Sequence, residues 1–157
     1  MDRQRLGAEM VALTNTLYRV SRGLLRCEAD REDAVQSAIE KAWAKADRLR
    51  DERSLKPWVI RILVNECYTL LRKKRRETAV EALPDGEAPA DDSARELREA
   101  LDALPDDLRM PILLHYMEGF SVEEIASALR CPRGTILSRM SRGRKQMRDF
   151  LGKGMSE

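Results

Sequence analysis

The sequence has few of the residues that most metal sites and catalytic centres use. It contains a single histidine, His115, and three cysteines, Cys27, Cys67 and Cys131, which lie far apart. An odd number of scattered cysteines does not suggest a disulfide framework, and one histidine leaves a zinc site short of its usual ligands. We therefore expect no metal or other cofactor and no small-molecule substrate, and the sequence disfavours hydrolases and metalloenzymes.

Long apolar runs are also missing. No stretch approaches the roughly 18 unbroken apolar residues of a membrane-spanning helix, and the N-terminus lacks the apolar core of a signal peptide. These absences predict a cytoplasmic protein. The length of 157 residues fits one ordinary domain or two very small ones.

The charges are nearly balanced overall but are segregated along the chain. The net charge is +2, yet residues 1–77 carry 18 Lys/Arg against 12 Asp/Glu, and residues 130–157 carry eight Lys/Arg against two acids. Between them, residues 78–93 carry five acids and no base. Two basic surfaces separated by an acidic connector suggest a polyanion bound at two places. Ordinary solvated helix faces are the alternative.

Glycine and proline cluster only in residues 83–90, which are acidic and show no periodicity. This composition indicates a flexible linker over residues 78–93. We find no internal repeat and no convincing strand. The predicted fold is all-α, with two small helical domains, residues 1–77 and 94–157, on either side of the linker.

Three amphipathic helices are predicted before the linker. The first has one apolar seam, formed by Leu6, Met10, Leu13, Leu17, Val20 and Leu24. The apolar side of the second consists of Val35, Ala38, Ile39, Ala42, Trp43 and Ala46, opposite Asp33, Gln36 and Glu40. The third has Pro57 in its first turn and ends in the basic run 72–76. A shared core is expected, with Trp43 and Trp58 favoured as core residues.

After the linker, Pro105 marks a helix start, and Pro111 is expected either to kink that helix or to mark its true beginning. The apolar side of this helix is predicted to consist of Ile112, Leu113, Tyr116 and Met117.

The next segment has the pattern of a helix-turn-helix. Ser121 and Glu124 form a capping box, a short turn follows, and Pro132 is predicted at the first position of a helix with a basic outer face. A helical hairpin with a solvated basic face is the alternative.

Several motifs resemble one bacterial family. Leu104-Pro-Asp-Asp-Leu-Arg109, Glu118-Gly-Phe-Ser-Val-Glu-Glu-Ile-Ala126 and Pro132-Arg-Gly-Thr-Ile-Leu-Ser-Arg139 resemble the C-terminal domain of extracytoplasmic-function (ECF) sigma factors. Asp30-Arg-Glu-Asp-Ala-Val-Gln36 and Pro57-Trp-Val-Ile-Arg-Ile-Leu-Val-Asn65 resemble its N-terminal domain. The motifs occur in the family's order and cover nearly the whole chain.

The resemblance implies a promoter-specificity subunit that binds core RNA polymerase and promoter DNA at the −10 and −35 elements. It also implies control by an anti-sigma factor and no enzymatic activity of its own. A small two-domain protein with exposed apolar and basic surfaces is expected to be monomeric when free. A 16-residue linker, reaching roughly 50 Å when extended, is long enough to join domains bound at the two elements.

Carried over by position, the resemblance assigns three sets of residues. Those expected to bind the polymerase clamp are Asp33, Gln36 and Glu40. Those expected at the −10 element are Arg61, Asn65, Thr69, Arg72 and Lys73. Those expected at the −35 element are Arg133, Thr135, Ser138, Arg139, Ser141, Arg142 and Lys145. Leu137 departs from the family, which often has a basic or polar residue there, and this affects the −35 sequence preference.

Other readings of the residues remain. Arg139 and Arg144 could instead be structural and cover the core, and the basic run 72–76 could only complement a helix C-terminus. The cysteines are interpreted as small buried hydrophobes, and His115 as a packing or surface residue. The alternative function is an autonomous helix-turn-helix repressor or activator that binds duplex DNA as a dimer. A helical interaction module without DNA contact is a third class, which the basic recognition helix disfavours.

Overall fold

A computed structural model describes residues 2–49, 51–77 and 92–155. They form seven α-helices with short turns between them: α1 Arg3–Arg22, α2 Glu28–Ala44, α3 Leu55–Glu77, α4 Asp92–Asp102, α5 Asp106–Ile112, α6 Val122–Leu129 and α7 Arg133–Met155. These ranges contain no strand, so the all-α prediction is confirmed for them. Residues 78–91, most of the predicted linker, lie outside the described residues. No helix among those described has the length and apolar character needed to cross a bilayer.

The chain divides into two compact units, Met1–Asp85 with Ser127–Arg130 and Gly86–Ala126 with Cys131–Glu157. In the first unit, α1, α2 and α3 pack on one another. Asp2 caps α1 by accepting a hydrogen bond from the Arg5 backbone N–H at 2.7 Å. The buried side chains come from all three helices and include Leu6, Leu17, Val20, Val35, Ile60 and Leu63. The predicted shared core is therefore confirmed.

The tryptophan prediction was wrong for Trp43. Its side chain is 38% exposed, and the Arg3 guanidinium lies 5.1 Å from the centre of its ring. Most of the buried α2 positions carry small residues, namely Ala34, Ala38 and Ala42. Small residues allow helices to approach closely, which leaves the large indole at the edge. Trp58 is half-buried.

The loop between α2 and α3 contains two 3₁₀ turns, Ala46–Arg48 and Glu52–Ser54. Pro57 lies in the first turn of α3, as predicted, where its missing N–H has no intrahelical partner to lose.

In the second unit, α7 packs against α4 and α5. The core includes Leu101, Leu108, Leu114, Ile125, Ile136 and Met140. Arg109 is buried at the α4–α5 turn, where its guanidinium donates to the carbonyls of Asp102 and Leu104 and pairs with the Asp106 carboxylate. These bonds satisfy carbonyls at and just beyond the end of α4.

Pro111 lies inside α5, and the helix widens just after it into a π turn over Leu113–Met117. Proline has no N–H for the carbonyl four residues earlier, which loosens the local ladder. The wider turn changes which side chains face inward. Leu113 and Leu114 are buried, whereas Tyr116 is 59% and Met117 62% exposed. The prediction that Tyr116 and Met117 belong to the apolar packing side was wrong for this reason.

Candidate nucleic-acid interface

The capping box that begins the helix-turn-helix is present. The Glu124 backbone N–H donates to Ser121 Oγ at 3.1 Å, and the Ser121 backbone N–H donates to Glu124 Oε1 at 3.0 Å. These reciprocal bonds satisfy two donors at the start of α6 and fix its first residue.

The turn between α6 and α7 is held by backbone geometry. Arg130 has a φ of 54°, in the left-handed region, and the Cys131 N–H donates to the Ala126 carbonyl at 3.0 Å. The Pro132 carbonyl accepts from the N–H groups of Thr135 and Ile136. Pro132 therefore lies just before α7, which begins at Arg133, one residue later than predicted.

The outer face of α7 is basic and polar. Ile136 and Met140 are buried on the inner face. Of the seven residues predicted to contact the −35 element, five are exposed: Arg133, Ser138, Ser141, Arg142 and Lys145. Thr135 and Arg139 are half-buried. The five exposed side chains give this helix the donors that phosphates and base edges accept.

Two arginines of α7 make contacts within the protein. Arg139 donates to Cys131 Sγ at 3.3 Å, and Arg144 donates to the Tyr116 hydroxyl at 3.2 Å. Arg139 thus contacts the turn between α6 and α7, and its contact with phosphate stays a prediction. Leu137 is exposed on the same helix as the basic side chains, where it presents an apolar surface.

Sequence reasoning did not single out Glu123. Its carboxylate accepts from Arg133 Nε at 2.8 Å, which links the first turn of α6 to the first turn of α7. This hydrogen bond lowers the pKa of Glu123. The signal in the sequence is that neighbouring glutamates project in different directions from a helix, so Glu123 remains available when Glu124 forms the capping box.

In the first unit, the polar positions of α3 follow one another along the helix. Asn65, Thr69, Arg72 and Lys73 are exposed, and Arg61 is half-buried. Thr69 Oγ1 donates to the Asn65 carbonyl at 2.9 Å, and Arg72 donates to Thr69 Oγ1 at 3.3 Å. This places an amide, a hydroxyl and a guanidinium on successive turns of one face.

The three residues predicted to bind the polymerase clamp share a face of α2. Asp33, Gln36 and Glu40 are all exposed, and Gln36 Nε2 donates to Glu40 Oε1 at 3.4 Å. Exposed carboxylates on one face suit a basic partner surface through charge-assisted hydrogen bonds.

Two ion pairs join α2 to α3. Lys74 Nζ lies 2.6 Å from Asp30 Oδ2, and Lys41 pairs with Glu66. Lys74 belongs to the basic run 72–76, so this part of the run also serves packing between the helices. The acidic partners are largely shielded from solvent, with side chains 19% and 17% exposed.

The three cysteines differ in burial. Burial raises the pKa of Cys67 to about 12, which keeps the thiol protonated, while Cys27 and Cys131 are half-exposed.

His115 Nδ1 lies 2.8 Å from the Phe120 carbonyl oxygen. Because a carbonyl can only accept, the ring donates this hydrogen bond, which holds the residues just after the π turn.

Comparison with known proteins covers both units. Residues 11–77 match the family description "Sigma-70 region 2", and residues 94–147 match "Sigma-70, region 4". The chain is 35% identical to the ECF RNA polymerase sigma-E factor of Escherichia coli over 74% of this chain and 71% of that protein. It is 32% identical to the ECF RNA polymerase sigma factor SigE of Mycolicibacterium smegmatis, covering 90% of this chain but only 59% of the relative.

Solved structures show the same architecture. The sigma factor RpoE of Bartonella quintana, crystallised with the anti-sigma factor NepR, superposes with a TM-score of 0.80 at 32% identity, covering 95% of this chain and 98% of that one. CnrH, solved with the cytosolic domain of CnrY, superposes with a TM-score of 0.71 at 23% identity, covering 97% of this chain and 90% of that one. The second likeness concerns the fold alone.

Proposed function

The chain belongs to the ECF sigma factor family, and from this premise we propose that it binds core RNA polymerase and directs transcription initiation at promoters with its own −10 and −35 elements. The observation that carries the proposal is the presence of both sigma regions, in family order, on one chain. Sigma factors are non-enzymatic initiation factors. We propose that this chain likewise has no catalysis of its own and acts in the cytoplasm.

The role proposed for α7 is to read the −35 element. Its exposed arginines and serines follow a capped helix and a tight turn, which is the arrangement that places a recognition helix in the major groove. Arg142 and Lys145 supply positive charge, while Ser138 and Ser141 supply hydroxyls for phosphates or base edges. Arg139, held at Cys131, is proposed to contact phosphate from a less exposed position, and half-buried Thr135 completes the set.

The role proposed for α3 is to read the −10 element in its melted form. The exposed Asn65 amide has donors and an acceptor, so it can recognise a base edge once the base is unpaired. Thr69, Arg72 and Lys73 continue this face toward the basic end of the helix. Arg61, half-buried on α3, is proposed to border the same surface.

The role proposed for the exposed α2 face is docking on the polymerase clamp, through Asp33, Gln36 and Glu40. We also propose that an anti-sigma factor controls the chain, on the basis of the RpoE relative solved with NepR. Such a partner is expected to compete with core polymerase for the chain, which is monomeric when free.

The test is transcription from fragmented genomic DNA by bacterial core polymerase, with and without the purified chain. Discrete transcripts that appear only with the chain support the proposal and reveal both promoter elements. Absence of transcripts, together with binding of the chain alone to duplex DNA, contradicts it and favours an autonomous regulator.

Single substitutions, measured in the same assay, test which surface binds DNA and which binds core polymerase. Arg142→Ala is expected to weaken −35 binding by about 1–3 kcal/mol and to leave core binding intact. Arg95→Ala, at an exposed arginine of α4, is the matched control. Asp33→Ala is expected to weaken core binding without changing which promoters are used.

A further inference from the structure

Arg133, which is predicted to contact the −35 element, pairs with Glu123 of the same chain. Arg133 is the first residue of α7, and recognition helices commonly contact bases through their N-terminal residues. Yet its Nε donates to a carboxylate of the same protein, with the two side chains 61% and 68% exposed. An exposed pair of this kind adds little to folding stability, so its effect is expected in the placement of the two side chains.

The geometry of the guanidinium shows which donors the pair with Glu123 can place. An arginine has five N–H donors in one plane, and the contact recorded with Glu123 uses the single donor on Nε. A carboxylate on that edge restricts rotation of the plane, while the two Nη groups retain donors directed elsewhere. Two parallel donors are what O6 and N7 of guanine accept in the major groove.

The surroundings of Arg133 leave room for DNA. The next residue is Gly134, and a methyl group built on it would meet no atom within 4 Å. The start of α7 is therefore open on that side. The adjacent Glu124 is already committed to the capping box, so Glu123 can reach the next helix without disturbing the start of α6.

We propose that Glu123 is a positioning residue for −35 recognition, whose carboxylate holds the Nε edge of Arg133 so that the Nη donors meet a guanine. The inference rests on the proposed sigma function, and it deepens that function by assigning one base contact. Glu123 itself touches no DNA in this arrangement and acts only through Arg133.

The experiment measures base preference in the assembled holoenzyme. Core polymerase carrying the full-length chain transcribes a promoter library with a randomised −35 element, and the preference at each position is compared among wild type, Glu123→Gln, Arg133→Ala and the double variant. Glu96→Gln, at an exposed glutamate of α4, is the matched control. Core binding is measured in parallel.

Arg133→Ala is expected to reduce the preference for guanine at one −35 position by roughly 5- to 150-fold, the range of a bidentate contact. Glu123→Gln is expected to reduce the same preference by about two- to fivefold, because exposed ion pairs are weak. It should have no further effect in the Arg133→Ala background. A purely structural role for Glu123 would not produce a change confined to one base.

Two results would overturn the inference while transcription remains intact. In one, Arg133→Ala changes no base preference. In the other, Glu123→Gln strengthens binding to all sequences alike, which would mean that Glu123 only offsets the arginine charge against phosphates. Failure of the wild-type chain to support any transcription would instead contradict the proposed function itself.

Discussion

Gly143 lies where α7 packs on α5, and the structure leaves no room there for a side chain. A methyl group built on Gly143 would lie 2.4 Å from Ile112 Cδ1 and 3.4 Å from the Leu108 carbonyl oxygen. Since non-bonded carbon atoms rest about 3.5–4.0 Å apart, Gly143→Ala must push the two carbons apart by roughly 1 Å. Ile112 is buried, so it cannot simply turn into solvent.

Two opposing effects set the expected change in the free energy of unfolding. Overpacking a well-filled core destabilises a protein by about 1–3 kcal/mol, while alanine is favoured over glycine within a helix by about 1 kcal/mol. Gly143→Ala is therefore expected to lower the free energy of unfolding by about 0–2 kcal/mol. Gly134→Ala is the matched control in the same helix, and it is expected to raise stability by up to about 1 kcal/mol because its surroundings are open.

The Ile112→Val substitution isolates the clash, because it removes the Cδ1 atom that the new methyl meets. In that background Gly143→Ala is expected to become neutral or stabilising, which gives a coupling energy of about 1–3 kcal/mol in a double-mutant cycle. Both tryptophans lie in the first unit, so their fluorescence does not report on α5 and α7. Urea unfolding followed by circular dichroism, with hydrogen exchange of α5 and α7 amides, is the suitable assay.

The reasoning is refuted if alanine at positions 143 and 134 changes stability equally. It is also refuted if valine at position 112 leaves the effect of Gly143→Ala unchanged. Either result would mean that α5 and α7 are farther apart than described, or that the packing between them adjusts without strain.

Four further predictions use other features. Ser121→Ala removes the hydroxyl that caps α6 and should lower the free energy of unfolding by about 0.5–2 kcal/mol in the same urea assay; an unchanged midpoint would show that the cap contributes nothing. Iodoacetamide at about pH 8 should label Cys27 and Cys131 in the folded chain but reach Cys67 only after denaturation, and equal labelling would contradict its burial. The pKa of Cys67 is about 12 in the folded chain, against an ordinary value of 9.0. Its contribution to stability is therefore complete below about pH 9 and declines as the pH rises toward 12. Unfolding measured over this alkaline range tests the decline. Asn65→Ala should change base preference at one −10 position and leave closed-complex formation intact; an unaltered preference in the promoter library would place base reading elsewhere.

The helices and the helix-turn-helix could be predicted because local rules determine them. The reciprocal bonds of Ser121 and Glu124 follow from residue types at fixed spacing, and the apolar seams follow from the 3.6-residue period. The positions of the predicted interface residues on outer helix faces come from the same periodicity. Their roles at DNA or polymerase stay predictions, because helical periodicity fixes which face a side chain occupies and not which partner surface meets it.

The predictions that failed depended on contacts and on a local change of helix type. The exposure of Tyr116 and Met117 depends on a π turn after Pro111, which no periodic pattern announces. Trp43 is exposed because alanines make the close helix contacts instead. The Glu123–Arg133 pair joins residues ten positions apart across a turn, so it required the turn geometry.

The ion pairs between α2 and α3 affect how the first unit can be engineered. The pairs of Asp30 with Lys74 and of Lys41 with Glu66 join the first and last turns of α2, the proposed docking helix, to α3, the proposed reading helix. A chimera that imports α3 from a relative with other residues at positions 66 and 74 would leave Lys41 and Asp30 of α2 mismatched with the new helix. The two helices should therefore be exchanged as one segment. Promoter preference is expected to transfer between relatives when α2 and α3 are moved together.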